Sequence, residues 1–290
     1  MPTQTVPGVL FARLPDAGDL PLVFDSPHSG LAYPPDFQPA APEAMILTSC
    51  DRYVDELWGA APRCGAVLLG ALFPRAYIDP NRSAGDLDPD LLAEPWPGQV
   101  DGSDYTRRGM GLIRRFALPG VPLYRRKLTL AEVEARLAGY YRPYRDRLAG
   151  IIEAAVARHG AVWHCNCHSM KSVGNAMNTD AGSARPDFVL SDRWGRTSDQ
   201  RFTRWVATRL TLLGYTVKIN DPYQGGDLVA TFGHPDEGRN SLQIEVNRAL
   251  YLNEATYEKH AGFARLEQSL AALQEALAEY VRGQLAARPG

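Results

Sequence analysis

The sequence has little net charge and no long apolar segment, and each shortage excludes a class of protein. Its 290 residues carry 31 lysines and arginines against 33 acidic residues, a formal charge of -2, so it lacks the basic surface of a nucleic-acid-binding protein. No apolar run approaches the roughly 18 residues that a membrane-spanning helix needs. The first residues lack the basic start and apolar core of a signal peptide. We therefore expect a cytoplasmic protein without nucleic-acid or membrane partners.

Cysteine is also scarce, and its spacing predicts no structural zinc site. The sequence has four cysteines. Cys165 and Cys167 lie two apart on a predicted strand, where their side chains share a face but are too distant for an easy disulfide. We expect these two to be buried thiols. Cys50 and Cys64 lack the Cys-x-x-Cys spacing of a zinc pair.

Two histidines at the ends of apolar segments are the most informative feature that is present. Residues 21–26 predict a short buried strand, after which Pro27 stops the strand and His28 follows. Residues 161–167 repeat this arrangement and end at His168. In an open α/β sheet, ligands gather at the carboxyl ends of the strands. The sequence therefore predicts a metal site that contains both histidines.

A catalytic zinc site usually has three protein ligands, so a carboxylate should complete this one. Residues 48–58 predict a helix that begins near Asp51, with Asp51 and Asp55 on one face of it. We favour Asp55 as the third ligand, with Asp51 as a helix cap or as a partner behind the ligands. The alternative is that both acids face water at a helix N-terminus, where the helix dipole favours negative charge.

A third apolar segment contributes a candidate general base. Leu242, Ile244 and Val246 alternate with polar residues, which is the period of a strand with one apolar face. Glu245 lies on the polar face. Beside a water molecule activated by zinc it would act as general base and then as acid, whereas on a solvated edge strand it would have no special role.

Five motifs in chain order carry a resemblance to a known family. They are residues 25–30 (DSPHSG), 73–82 (FPRAYIDPNR), 167–170 (CHSM), 220–226 (NDPYQGG) and 243–251 (QIEVNRALY). Together they resemble the N-formylglutamate amidohydrolase family, and a chance match of five ordered motifs is improbable.

The resemblance implies a fold, a cofactor and a reaction. The fold would be α/β, with a mixed, largely parallel sheet flanked by helices, similar to zinc-dependent exopeptidases of the carboxypeptidase type. The reaction would be zinc-dependent hydrolysis of N-formyl-L-glutamate to formate and L-glutamate, in histidine degradation. Relatives with the same metal chemistry act on other N-acyl compounds, so another N-acyl amino acid or a peptide amide remains an alternative substrate.

An N-acyl acidic amino acid carries two carboxylates. An arginine can bind one carboxylate with two parallel hydrogen bonds. Asn81 and Arg82 resemble the Asn-Arg pair that holds the substrate carboxylate in carboxypeptidase-like enzymes, so Arg82 is our first choice. Arg75 and Arg248 follow, each beside a motif strand. The alternative for any one of these arginines is a surface ion pair.

Further substrate-binding candidates lie after a predicted strand at residues 215–219. Asn220 and Tyr223 belong to a loop in which Gly225 and Gly226 allow close approach to a ligand, although a plain turn is the alternative. His234 is a further candidate, which would polarise the scissile carbonyl or contact the second carboxylate.

The remaining sequence predicts the scaffold of a single domain over residues 1–290. Residues 83–111 are rich in glycine, proline and acids and predict a long loop that covers the site as a flap. Two further strands are predicted at 64–72 and 76–78. A Thr129–Glu132 capping box predicts the start of a helix that Pro143 kinks or splits, and a second helix is predicted from near Ser198 to Gly214. A C-terminal helix is predicted over 256–283, which packs on the sheet or on a second subunit.

Two other classes of function remain open. A serine hydrolase would use Ser29 or Ser169, but the Gly-x-Ser-x-Gly motif is absent and each serine is adjacent to a histidine in sequence, which is poor geometry for a triad. A ligand-binding relative without catalysis would not need His28, His168 and Glu245, all of which are present.

Overall fold

The computed structural model describes residues 3–287 and is built around one eight-stranded sheet. The strands, in chain order, are β1 (Thr3–Val6), β2 (Leu10–Arg13), β3 (Leu22–Ser26), β4 (Val67–Ala71), β5 (Phe116–Leu118), β6 (Val121–Pro122), β7 (Val162–Met170), β8 (Phe188–Ser191), β9 (Val217–Ile219) and β10 (Arg239–Asn247), of which β5 and β6 form a separate hairpin.

The spatial order of the sheet is β1-β2-β4-β3-β7-β10-β8-β9. Its centre is parallel, because β4, β3, β7 and β10 all run in one direction. Antiparallel pairing occurs between β1 and β2, between β2 and β4, and between β10 and β8. The predicted mixed, largely parallel sheet with flanking helices is therefore confirmed.

Eight α-helices occur in the part of the chain that the structure describes. They are α1 (Glu43–Leu47), α2 (Val54–Leu57), α3 (Asp104–Arg107), α4 (Leu130–Arg136), α5 (Arg142–His159), α6 (Gln200–Leu212), α7 (Asp227–Phe232) and α8 (Gly262–Ala286). None of the helices in this part is long and apolar enough to cross a membrane.

The central strands are buried on both faces, which separates two apolar cores. In β3, Leu22 and Phe24 belong to a core that includes residues of α2, α6 and α8, whereas Val23 belongs to the opposite core with residues of α4 and α5. The leucine stripe of α8, from Leu266 to Leu277, packs in the first of these cores. Of the two alternatives for the C-terminal helix, packing on the sheet is therefore the one observed.

Several predicted elements form where their local signals place them. The Thr129–Glu132 capping box is present at the start of α4. Pro143 lies in the first turn of α5, directly after a π-helix over Leu137–Tyr141, so the helical segment changes there from π-helical to α-helical hydrogen bonding. Asp199 caps α6 by accepting a hydrogen bond from the Arg201 N–H. Cys165 and Cys167 are buried free thiols.

Three predicted elements differ from the structure. The strand predicted at 64–72 is limited to Val67–Ala71, because Ala61–Cys64 forms a 3-10 helix. Residues 76–78 do not form a strand, because Pro74 opens a turn in which its carbonyl accepts the Tyr77 N–H at 2.9 Å. The C-terminal helix begins at Gly262 and not near residue 256, because the preceding turn holds Tyr257 in a left-handed conformation, with φ of 59°. Residues 83–111 include α3 and a 3-10 turn at Pro89–Leu91 but no strand.

Candidate metal centre and substrate pocket

A polar pocket opens at the carboxyl ends of the parallel strands. His28 follows β3 by two residues, His168 lies near the end of β7, and Glu245 lies near the end of β10. Asp51 comes from the turn before α2. These four residues line the same pocket, as expected for the switch region of an open α/β sheet.

Two histidines and one carboxylate meet in this pocket. His28 Nδ1 lies 3.3 Å and His168 Nδ1 lies 3.1 Å from Asp51 Oδ2. One ligand atom from each residue lies within 4.8 Å of the others, and all three side chains are buried. Two histidines and a carboxylate are a common ligand set of catalytic zinc.

The proton on His28 is positioned by Asp79. His28 Nε2 lies 2.7 Å from Asp79 Oδ1, and Arg75 donates two hydrogen bonds to Asp79 Oδ2. Burial raises the pKa of Asp79, but the charge of Arg75 and the hydrogen bond from His28 outweigh it and hold that pKa well below the usual range. Because an ionised carboxylate only accepts hydrogen bonds, His28 donates from Nε2.

The proton on His168 is positioned by Asn166. His168 Nε2 lies 2.6 Å from Asn166 Oδ1, while Asn166 Nδ2 donates to Asp25 Oδ1 at 2.7 Å. Burial raises the pKa of Asp25, but hydrogen bonds and the charge of His164 lower it below the usual range. The Asp25 carboxylate thus fixes the orientation of the Asn166 amide. The Asn81 Nδ2 atom also lies near His168 Nε2, but at 3.2 Å, so we assign the proton to the shorter contact.

The short contacts of both Nε2 atoms favour the tautomers in which His28 and His168 each turn an Nδ1 lone pair toward Asp51. Three acceptor atoms that face one another without a proton between them repel each other, and a bound cation removes that repulsion. The outward nitrogens are held by a carboxylate and an amide, which is how proteins orient histidines that bind metals. The donor set and its surroundings thus fit a divalent cation.

The preference for Asp55 as the third ligand is corrected, because Asp51 is the carboxylate in this group. The sequence predicted a helix from Asp51, which would put both acids on one face. Instead, Tyr53 adopts a left-handed conformation with φ of 65°, and α2 begins only at Val54. Asp51 therefore precedes the helix and its N–H donates to the His28 carbonyl at 3.0 Å.

The second carboxylate oxygen of Asp51, Oδ1, accepts two hydrogen bonds. Arg248 Nη2 donates to Asp51 Oδ1 at 2.8 Å, and Ser169 Oγ donates to the same atom at 3.2 Å. Arg248 also donates to Ser169 Oγ and to the Thr48 carbonyl. Arg248 therefore lines the pocket mainly as the partner that orients Asp51.

Glu245 is buried in a central strand, which excludes the solvated edge position. Its side chain is 7% exposed, and β10 lies between β7 and β8. Gln243 Nε2 donates to Glu245 Oε1 at 2.9 Å. Burial raises the pKa of Glu245, with a smaller opposing effect from His168. A carboxyl with a raised pKa is suited to both accept and return a proton.

The predicted substrate-binding residues divide into two groups. Asn81, Arg82, Arg75, Tyr223 and Arg248 line the pocket. Asn220 and His234 lie outside the pocket lining: the Asn220 side chain bonds to Asp192, and His234 is exposed, with Nε2 3.2 Å from the Thr231 carbonyl oxygen.

Several residues of the site are not predicted from the sequence. Asp79 could have been found, because it lies inside the 73–82 motif two residues before Asn81. Arg114, Lys171, Arg185 and Gln243 also line the pocket. Nothing in the local sequence around Arg114 distinguishes it from a surface arginine.

The parallel-centred α/β sheet has a buried His-Asp-His group and a glutamate at its carboxyl edge, which is where an enzyme of this fold class holds its ligands. The chain belongs to the N-formylglutamate amidohydrolase family, which matches residues 20–252. It is accordingly a hydrolase that acts on an amide.

Individual relatives agree with this assignment. The chain is 27% identical over 241 residues to N-formylglutamate deformylase of Pseudomonas aeruginosa, covering 82% of this chain and 84% of that protein. It is 44% identical to N-formylglutamate amidohydrolase from Ralstonia eutropha JMP134, whose crystal structure superposes with a TM-score of 0.90 over 96% of this chain and 99% of the other. A protein of Agrobacterium tumefaciens, 19% identical, shares the fold with a TM-score of 0.64 over 96% of this chain and 95% of that chain.

Proposed function

We propose that this protein hydrolyses N-formyl-L-glutamate to formate and L-glutamate, with a divalent metal, preferably zinc, bound by His28, Asp51 and His168. The observation that carries the proposal is the group of three candidate ligand atoms from His28, Asp51 and His168, in an arginine-lined pocket that also contains Glu245. Relatives named for this reaction support the choice of substrate. The physiological context that we propose is histidine degradation in the cytoplasm.

When bound, the metal would supply a Lewis acid that polarises the formyl carbonyl and makes water a better nucleophile. The protein holds its ligands in place through Asp79 behind His28 and Asn166 behind His168. Arg248 does the same for Asp51. These partners fix the direction of each ligand lone pair before the substrate binds.

Glu245 is the proposed general base. Its carboxylate would take the proton of the attacking water and then deliver a proton to the nitrogen of the leaving glutamate. The hydrogen bond from Gln243 Nε2 holds one carboxylate oxygen and leaves the other for this transfer. The hydrophobic strand positions on either side of Glu245 keep its main chain rigid, since Ile244 and Val246 are 1% exposed.

Arg82 remains the proposed ligand for one substrate carboxylate. Its Nε donates to the Met110 carbonyl and its Nη1 to the Asn81 carbonyl, which leaves other N–H groups of the guanidinium for a ligand. The Tyr105 ring lies 3.9 Å from its central carbon and restricts its motion. Asn81, Arg75 and Tyr223 line the same pocket and are proposed to contact the substrate.

The arrangement does not favour a serine nucleophile. Ser29 Oγ lies 2.6 Å from Ser26 Oγ and donates to the Asp51 carbonyl at 2.9 Å. Ser169 Oγ is engaged by Asp51 and Arg248. Among residues 3–287, neither hydroxyl is bonded to a histidine, although a serine nucleophile needs such a base.

The test is formate release from a panel of N-formyl and N-acetyl amino acids, with and without a metal chelator. We expect N-formyl-L-glutamate to be the preferred substrate, activity to be lost with chelator, and zinc to restore it. Formate release that is unchanged in metal-free protein would contradict the metal site. A clear preference for an N-acetyl or a neutral N-formyl amino acid would contradict the substrate.

A further inference from the structure

Most of the arginines in the pocket are already neutralised by the protein. Five arginines line it, and four of them lie within 4 Å of a carboxylate oxygen. These pairs are Arg75 with Asp79 at 2.6 Å, Arg82 with Asp86 at 3.9 Å, Arg185 with Asp180 at 2.7 Å and Arg248 with Asp51 at 2.8 Å.

Arg114 is the exception among these five arginines. Its side chain makes no ion pair or hydrogen bond with any residue in 3–287, and its Nε is buried without a partner. The residue is only 7% exposed. Burial lowers the pKa of Arg114 to about 9, and the neighbouring charge of Arg75 contributes further. A buried, unpaired charge is costly in free energy, so proteins seldom keep one without a use.

The position of Arg114 is fixed by its neighbours in the chain. Leu112 and Ile113 are fully buried, and the Leu112 carbonyl accepts the Asp79 N–H at 2.8 Å. On the other side, the Arg115 carbonyl accepts the Leu123 N–H at 2.7 Å. The main chain thus anchors Arg114 directly to the loop that carries Asp79. Arg114 lines the same pocket as His28 and Glu245, and its charge acts on Asp79 and Asp51.

We propose that Arg114 binds a carboxylate of the substrate, so that the ligand supplies the counter-charge that the protein lacks at this position. The inference rests on the proposed function, in which the substrate is an N-acyl amino acid with two carboxylates. Arg82 is proposed for one of them, and Arg114 receives the other. Arg114 is thereby a residue that determines specificity for acidic substrates.

The test combines two variants with three substrates. Arg114→Met removes the charge and keeps a long side chain, and Arg115→Met is the matched control, because Arg115 is paired with Asp90 outside the pocket. The substrates are N-formyl-L-glutamate and its two monoamides, in which either the side-chain or the main-chain carboxylate is neutral. We expect Arg114→Met to lower kcat/KM for N-formyl-L-glutamate by about 10- to 150-fold, and to have little effect on one of the two monoamides.

An equal loss on all three substrates would overturn the proposal, because the variant would then be affecting the fold or the metal centre. Arg115→Met should leave the preference among the three substrates unchanged. A substrate-dependent loss in Arg115→Met as large as that in Arg114→Met would also overturn it.

Stability gives a second readout that a structural arginine would not produce. Because Arg114 is buried without a partner, Arg114→Met should leave the melting temperature of the ligand-free protein unchanged or raise it. A fall of several degrees would mean that Arg114 holds the fold, and would overturn the proposal. Binding of glutarate, a dicarboxylate without an amide, should weaken in the same variant by about 10- to 150-fold when measured by calorimetry.

The glutarate titration also separates the two proposals. If the wild-type protein releases no formate from N-formyl-L-glutamate, the proposed function fails. Glutarate binding that depends on Arg114 would still support carboxylate recognition at this position. Glutarate binding that is equal in wild type and Arg114→Met would overturn the inference, even if the deformylase activity is confirmed.

Discussion

His168 and Glu245 lie directly opposite each other on the neighbouring parallel strands β7 and β10. A proposed metal ligand and the proposed general base are therefore placed by a single strand register. Since successive side chains of a strand point to opposite faces, a shift of one residue would turn one of the two away from the pocket. The register is held by buried neighbours such as Cys167 and Ile244, which form another pair of the same ladder.

The first prediction concerns Glu245. Glu245→Gln keeps the shape of the side chain and removes its ability to take a proton. We expect kcat to fall by about 100-fold or more, with metal content and melting temperature close to wild type. Steady-state kinetics and metal analysis on the same preparation test this. Activity near wild type would remove Glu245 from the mechanism.

The second prediction separates the two candidate carboxylate ligands. Asp51→Asn should strongly reduce metal content and activity, by more than the roughly 10- to 100-fold expected for losing a partner behind a ligand. Asp55→Asn makes the same chemical change four residues away, in α2 and outside the metal group, and should retain metal. The reverse result, with metal lost only in Asp55→Asn, would contradict the assignment of Asp51 as the ligand.

The choice between Asp51 and Asp55 as the metal ligand could not be predicted from the sequence. The spacing of four residues is favourable only if the helix includes both positions, and the left-handed conformation of Tyr53 prevents this. Tyrosine rarely adopts that conformation, so the local sequence does not predict it. The position of Asp51 is instead set by long-range contacts, with the His28 carbonyl and with Arg248.

Other parts of the fold could be predicted, because their signals are local. The alternation around Glu245 predicted β10, and the Thr129–Glu132 spacing predicted the start of α4. Arg114 could not be singled out in this way. Its distinguishing property is that it has no acidic partner in the described part of the chain, and this depends on residues that are distant in sequence.

The third prediction concerns the carboxylate behind His28. Asp79→Asn removes the charge that holds the His28 Nε2 proton and the Arg75 pair, so metal affinity should fall by about 10- to 100-fold. Competition with a chromogenic chelator measures this. Asp227→Asn is the control, since it also breaks a pair with an arginine, Arg145, but touches no histidine. An equal loss of metal affinity in both variants would point to a general effect on the fold.

The fourth prediction is on stability alone. Thr129→Ala removes the side-chain hydrogen bond to the Glu132 N–H at the start of α4 and should destabilise the protein by about 0.5–2 kcal/mol. The free energy of unfolding from urea titration measures the effect. Thr208→Ala is the matched control, because Thr208 lies exposed within α6, where alanine is the better helix former. Its variant should be as stable as wild type or slightly more stable.

The last prediction concerns Arg82, whose guanidinium is proposed to bind a substrate carboxylate. Arg82→Lys keeps the positive charge but loses the planar pair of donors, so it should reduce transition-state binding of N-formyl-L-glutamate by about 1.5–3 kcal/mol. The loss should be small for whichever monoamide lacks the carboxylate that Arg82 holds, because that substrate has little interaction left to lose. If Arg82 and Arg114 bind different carboxylates, Arg82→Lys should show little loss of activity on one monoamide and Arg114→Met little loss on the other. An equal loss for Arg82→Lys on every substrate would show that its bonds to the Met110 and Asn81 carbonyls hold the loop and not the ligand.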